Sequence, residues 1–207
     1  ARGGRSDTVN SNCKFTMSII KVVYFSGSGN TKALAEAVNS GASRSAESEL
    51  MEITGEMIID GRFKNEEFLA KLDQADAIIF GTPTYMGMVS GQMKCFFDGT
   101  SQRWFQGTWN SKLAAGFTTS LGLSGDKQST LSYMATFAFQ HGMIWIGCDA
   151  PNELFQGKSM EEATNRLSSN TGVMSQVNFG DEFMPTPGDL KTGELLGERV
   201  AKFANKK

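Results

Sequence analysis

The sequence predicts an α/β fold, a doubly wound five-stranded parallel sheet in the strand order 2-1-3-4-5. Three observations lead there. Strand-like runs alternate with helical segments along most of the chain. Two of those runs, AIIFGTP from Ala77 and MIWIG from Met143, are nearly continuous apolar stretches, as expected of strands covered on both faces. Right-handed crossovers leave few ways to connect five such strands, and this order is the natural one.

The strand candidates are Ile19–Phe25, Glu49–Thr54, Ala77–Gly81, Leu113–Thr119 and Met143–Gly147. Behind the first, Lys32–Val38 opens a helix with Ala33, Leu34, Ala37 and Val38 on one side. Asn65–Leu72 and Gln92–Asp98 are shorter helix candidates, and Trp104 falls in a loop after the second of them. The clearest helical period runs through Leu131, Met134, Ala135, Ala138 and Phe139, with Asp126 as a cap at the start of that helix. A last helix near Asp189–Asn205 turns Leu196, Val200 and Phe203 to one side. From Cys148 to Gly188 the chain is polar, contains Pro151, Pro185 and Pro187, and has little period. A connection that long points to pocket edges and oligomer contacts. Residues 1–16 are polar and glycine-rich, and read as a flexible extension before Met17; residues 17–207 then form a single domain.

Composition narrows the function. At 207 residues, with 40% hydrophobic and 20% charged residues, the chain is globular. A net charge of −2 and the lack of any Lys/Arg run argue against nucleic acid as a partner. No apolar stretch reaches the roughly 20 residues of a membrane span. Cys13, Cys95 and Cys148 are odd in number and widely spaced, which fits reduced thiols in a cytoplasm. With His141 as the single histidine, a His-based metal centre is not expected.

In a sheet of this order, ligands bind over the carboxyl ends of the strands beside the switch point. Three loops rich in Gly, Ser and Thr meet there. The first, Ser26–Thr31 (SGSGNT), runs into a helix N-terminus, whose unpaired N–H groups and dipole favour an anion. Ser26, Ser28, Asn30 and Thr31 add side-chain donors, and Gly27 and Gly29 allow the backbone to close round it. Lys32 stands where a dinucleotide fingerprint needs glycine, and no Gly-Lys-Ser/Thr follows, so nucleotide hydrolysis is not expected. A hydroxyl-rich loop of low charge suits a phosphate monoester such as that of FMN; simple capping of the helix by Ser28 or Asn30 is the competing reading. In the second loop, Pro83 stiffens the backbone and Gly87 permits a tight return, so that Tyr85 and Met86 wall a flat ring. The third, Thr118–Gly125, offers hydroxyls and amides to the ring's polar edge and side chain. His141 ends a helix, where a lone histidine often serves the helix dipole, and Trp109 and Trp145 are assigned to packing.

The phrases GTPTYMG at 81–87, SGQMKCFFD at 90–98, Trp104, KLAAGFTTS at 112–120 and TFAFQHGMIWIG at 136–147 carry a resemblance. The chain resembles the flavodoxin-like NAD(P)H:quinone oxidoreductases of the WrbA-like group and the related FMN reductases. The likeness covers residues 18–147, with a weaker echo at 188–204. It implies tightly held, non-covalent FMN, NADH or NADPH as electron donor, and a quinone or other small redox acceptor. The reaction implied is two-electron hydride transfer through FMN, in a cytoplasmic homodimer or homotetramer. By resemblance, Ser26, Ser28, Gly29, Asn30 and Thr31 hold the phosphate, and Pro83, Thr84, Tyr85, Met86 and Gly87 line the isoalloxazine. Thr118, Thr119, Ser120, Gly122 and Gly125 hold the ribityl and pyrimidine side. His141 matches a catalytic histidine near the flavin, and Trp104 a tryptophan of the substrate pocket across a subunit contact. Two features depart from the group: SGSGNT resembles the loop of electron-carrying flavodoxins, and Tyr85-Met86 stand where the group commonly has Arg-Phe. The alternative is therefore a flavodoxin-type electron carrier, against which the weak net charge and the long tail argue.

Overall fold

The computed structural model describes residues 17–177 and 184–206; the predicted extension 1–16 lies outside them. Its elements in order are β1 (Ile19–Tyr24), α1 (Asn30–Ser43), β2 (Glu47–Glu52), β3 (Ile58–Ile59), β4 (Arg62–Phe63), α2 (Glu66–Asp73), β5 (Ala77–Tyr85) and β6 (Met88–Val89). Then come α3 (Gly91–Gly99), α4 (Ser101–Gln106), β7 (Leu113–Ser120), α5 (Lys127–Gln140), β8 (Ile144–Trp145), β9 (Val173–Gln176) and α6 (Pro187–Ala204).

The central sheet is parallel in the order β2-β1-β5-β7, and its fifth position is shared by two segments. β8 pairs with the start of β7, Ile144 opposite Leu113, while β9 pairs with its end, Val173 opposite Phe117. The predicted order therefore stands, but the predicted fifth strand at Met143–Gly147 shrinks to two residues. Residues 146–172 leave the sheet and return as β9, inside the stretch expected to lack strand structure. Close backbone approach marks both ends of this detour. A Cβ on Gly147 would overlap the Asn170 carbonyl oxygen, and one on Gly172 would overlap that of Gly116.

Alternation along the strands feeds two core layers. Val22 and Ile79 face Leu34, Val38, Leu196 and Val200 on the α1/α6 side. Val23, Ile78 and Phe80 face Met93, Phe96, Leu131 and Met134 on the α2/α3/α5 side. Helices α1 and α6 meet backbone to backbone, because a Cβ on Gly41 or Gly197 would overlap Glu194 O or Val38 O. Ser90 caps α3 by accepting from Met93 N at 3.2 Å, and α4 follows with only Thr100 between. Trp104 thus sits on a helix, not in the predicted loop.

Candidate functional site

Over the carboxyl ends of β1, β5 and β7 lies a cleft of about 620 Å³. It is lined by Gly27, Ser28, Asn30 and Thr31 of the first loop, Pro83, Thr84 and Tyr85 of the second, and Thr119, Ser120 and Leu121 of the third. Val177 and Met184 close it from the tail, which meets the expectation of a pocket edge there. No charged side chain lines it among the described residues.

The first loop turns into α1 through Gly29, whose φ of 93° is left-handed and suits glycine. Ser26 Oγ accepts from Gly29 N at 3.1 Å and from Lys32 N at 3.2 Å, so Ser26 does the capping that was expected of Ser28 or Asn30. The N–H groups of Asn30 and Thr31 open the helix with no preceding turn to accept them. Asn30 Nδ2 donates to Ser28 Oγ at 3.1 Å, while its Oδ1 is buried without a partner. Half a turn of that amide exchanges the two, letting Ser28 donate to the oxygen and leaving an N–H as the buried group without a partner.

Tyr85 is the last residue of β5 and lies against the first loop: a Cβ on Gly27 would overlap its hydroxyl. Met86 does not join it. Met86 and Gly87 have φ of 48° and 80° and link the Tyr85–Met88 pair of β5 and β6, the geometry of a type I′ hairpin. Met86 is consequently fully exposed at the tip, and Gly87 serves the turn; neither lines the cleft. Thr118 also falls outside it. Its hydroxyl donates to Thr82 O at 2.7 Å, so Thr84 Oγ1 donates to Thr118 at 2.8 Å and in turn accepts from Thr130 at 2.8 Å. This directed chain locks the wall from behind.

The third loop is bound to the first by the hydroxyls of Thr31 and Thr119, 2.9 Å apart. Beyond Ser120 it curls back on itself, with Gly125 at φ 51° and too close to Ser120 to carry a side chain. Gly122 and Gly125 shape this curl and do not face the cleft. The residue that fastens it, Lys127, carries no signal in the sequence beyond following Asp126. Lys127 is fully buried, and its Nζ donates to Ser120 Oγ at 2.8 Å, Gly122 O at 2.6 Å and Leu123 O at 2.9 Å. Burial pushes its pKa down to about 8. Asp126 precedes α5 in a left-handed conformation, and its side chain does not cap the helix as expected.

His141 and Trp104 lie elsewhere. His141 follows the last residue of α5, a helix of 14 residues whose first turn adjoins the cleft, which puts the histidine about 20 Å away along the axis. It shares a separate shallow groove with Trp104, Phe97, Thr100 and Phe137. Thr100 Oγ1 donates to Phe97 O at 2.7 Å, so His141 Nε2 must donate to Thr100 at 2.9 Å, leaving Nδ1 a buried acceptor without a partner. Burial lowers its pKa to about 4, so the ring is neutral near pH 7 and brings no charge to the helix dipole. Trp109 is fully buried against it, with ring centroids 4.8 Å apart.

Residues 20–152 match the family profile described as NADPH-dependent FMN reductase. This chain belongs to the NADPH-dependent FMN reductase family. It is 41% identical over 188 residues to Flavodoxin FldP of Pseudomonas aeruginosa, covering 90% of this chain and 97% of that one. It is 34% identical to an NAD(P)H dehydrogenase (quinone) of Archaeoglobus fulgidus, over 92% of this chain and 99% of the relative. Among solved structures, a flavodoxin, WrbA-like protein from Agrobacterium tumefaciens superposes with a TM-score of 0.68 at 39% identity, covering 91% and 98% of the two chains. A flavodoxin nearly coextensive with this chain removes the long tail as an argument against electron carriage.

Proposed function

We propose that the three-loop cleft holds FMN and that the protein is an FMN-dependent oxidoreductase passing electrons from NADH or NADPH to a quinone or similar small acceptor. One observation carries this reading: loops from three parallel strands converge on one apolar cleft whose floor is a helix N-terminus with unpaired donors. The residues suit the cofactor. The open N–H groups of Asn30 and Thr31, the hydroxyls of Ser28 and Thr31, and the unpartnered Asn30 amide suit a phosphate, while Ser26 holds the loop from behind as the cap of α1. Pro83, Thr84 and Tyr85 offer a partly aromatic wall, and Thr119 and Ser120 offer hydroxyls opposite.

FMN, when bound, supplies the two-electron redox chemistry. The protein binds, orients and screens. Tyr85 and Leu121, each roughly half exposed, and Met184, exposed by about a third, give the mouth an apolar rim suited to a planar, uncharged acceptor. Val177 and Met184 narrow access from the tail side. Relatives described as NAD(P)H dehydrogenase (quinone) from several organisms support the donor and acceptor classes.

His141 and Trp104 enter this reading only from a neighbouring copy, because their own cleft lies at the other end of α5. Trp104 is a large, half-exposed apolar residue in the His141 groove, and Phe105 on α4 and Phe139 on α5 are more exposed still, which supports assembly into a homodimer or homotetramer. Among the described residues no helix is long and apolar enough to cross a membrane. Cys95 and Cys148 are free thiols, which supports a cytoplasmic setting. The test is steady-state reduction of benzoquinone by NADH and by NADPH. Turnover must depend on added FMN in apoprotein; its absence with both donors would defeat the reading.

Electron carriage without nicotinamide turnover is the second reading, favoured by the likeness to Flavodoxin FldP and by the SGSGNT loop. FMN that stays oxidised under both nicotinamides yet exchanges electrons with a protein partner would select it.

A further inference from the structure

Behind the third-loop wall three charged side chains are buried together: Arg166, Asp189 and Lys127. Arg166 comes from the detour between β8 and β9, Asp189 from the first turn of α6, and Lys127 from the first residue of α5. Asp189 is fully committed. Its Oδ1 accepts from Arg166 Nε at 2.8 Å, and its Oδ2 accepts from Arg166 Nη2 at 2.9 Å and from Gln176 N at 3.0 Å. Among the described residues, two cations thus share one buried carboxylate, and the ammonium of Lys127 touches a hydroxyl and two carbonyls. An ammonium without a contacting counter-ion is costly to bury, and a neutral donor could pin the loop instead. This charge lies one hydrogen bond from Ser120, which lines a cleft that carries no charged side chain among the described residues.

We propose that Lys127 is a positioning residue that also holds a positive charge behind the third-loop wall, so that the cleft binds the reduced form of FMN more tightly than it otherwise would. This rests on the FMN reading above. Taking up two electrons and one proton leaves a flavin one negative charge richer. A cation fixed in the desolvated wall behind Ser120 favours that form by roughly tenfold or more. Burial already pushes the Lys127 pKa down to about 8, with Arg166 lowering it further and Asp189 opposing. The charge therefore weakens as pH rises through that value.

The experiment measures FMN affinity and the midpoint potential of bound FMN relative to free FMN, which gives the ratio of the oxidised and reduced dissociation constants. Full-length wild type, Lys127→Met and Lys127→Arg are compared at pH 7. Lys127→Met should shift that ratio about tenfold against the reduced form, which is a potential about 30 mV lower for a two-electron couple. Lys127→Arg should keep the wild-type ratio. An unchanged ratio in Lys127→Met, even with weaker overall FMN binding, would make Lys127 a loop clamp alone and overturn the proposal. Should Lys127→Met fail to fold, the wild-type ratio followed from pH 7 to 9.5 decides, since it must fall above about pH 8; a flat line overturns the proposal. Wild type that binds no FMN at all would sink the FMN reading itself, a result that none of the other outcomes resembles.

Discussion

Thr31 and Thr119 share a hydrogen bond of 2.9 Å between their hydroxyls across 88 residues of chain, joining the phosphate-type loop after β1 to the loop after β7. Both residues line the cleft, and both are almost completely buried. Removing either hydroxyl leaves the other without its partner at a cost of about 1–3 kcal/mol. Thr31→Val and Thr119→Val should each raise the FMN dissociation constant roughly tenfold. The double variant should lose little more than either single one, since the two substitutions remove the same contact. Isothermal titration of the four proteins checks this; additive losses would mean that the two hydroxyls act separately.

Met86 occupies the first position of a type I′ turn, where a left-handed conformation is awkward for any residue except Gly, Asn or Asp. Its side chain is fully exposed. Met86→Asn should therefore stabilise the fold by about 0.5–1 kcal/mol and leave FMN affinity unchanged. Denaturant melts with and without FMN measure both. A loss of affinity would show that Met86 reaches the ligand after all.

His141 has a folded pKa of about 4 against an ordinary value of 6.5, because burial disfavours its charged form. Below pH 6.5 the unfolded chain gains a proton that the folded chain refuses, so stability falls as pH drops from 6.5 toward 4. This one group removes about 3 kcal/mol across that window. As the only histidine, it gives a single imidazole signal by NMR. A midpoint near 6.5 in the folded protein would show the ring to be solvated.

Gly41 and Gly197 let α1 and α6 touch backbone to backbone. Alanine is the better helix former by about 1 kcal/mol, yet a methyl group at either site would overlap a carbonyl oxygen of the facing helix. Overpacking wins: Gly41→Ala and Gly197→Ala should each cost about 1–3 kcal/mol net. Thermal melts check the sign, and a raised melting temperature would show that the helices separate freely.

The continuous apolar run at Ala77 made the central strand β5 legible, because a parallel strand covered on both faces needs no partner information to be recognised. The similar run at Met143 overstated its strand, since only Ile144 and Trp145 pair with β7. β9 was not legible. Val-Met-Ser-Gln is short and lies in a polar stretch, and it becomes a strand only because β7 offers an open edge from Phe117 to Ser120. In the same way, the three loops were readable as a group from their Gly, Ser and Thr content, but not their side-chain directions. Thr118 points into the sheet, Met86 sits on a hairpin tip, and His141 ends a helix that runs away from the cleft. Lys127 looked like any first-turn lysine, since its burial depends on Ser120, Gly122 and Leu123 folding over it.

The most direct measurement compares FMN with riboflavin, which lacks only the phosphate, by quenching of flavin fluorescence on titration with the full-length protein. If the loop Ser26–Thr31 and the N-terminus of α1 cradle a phosphate, FMN should bind at least about 100-fold more tightly, the worth of two charge-assisted hydrogen bonds. Asn30→Ala should close much of that gap without weakening riboflavin. Equal affinities for FMN and riboflavin, or no binding of either, would contradict it.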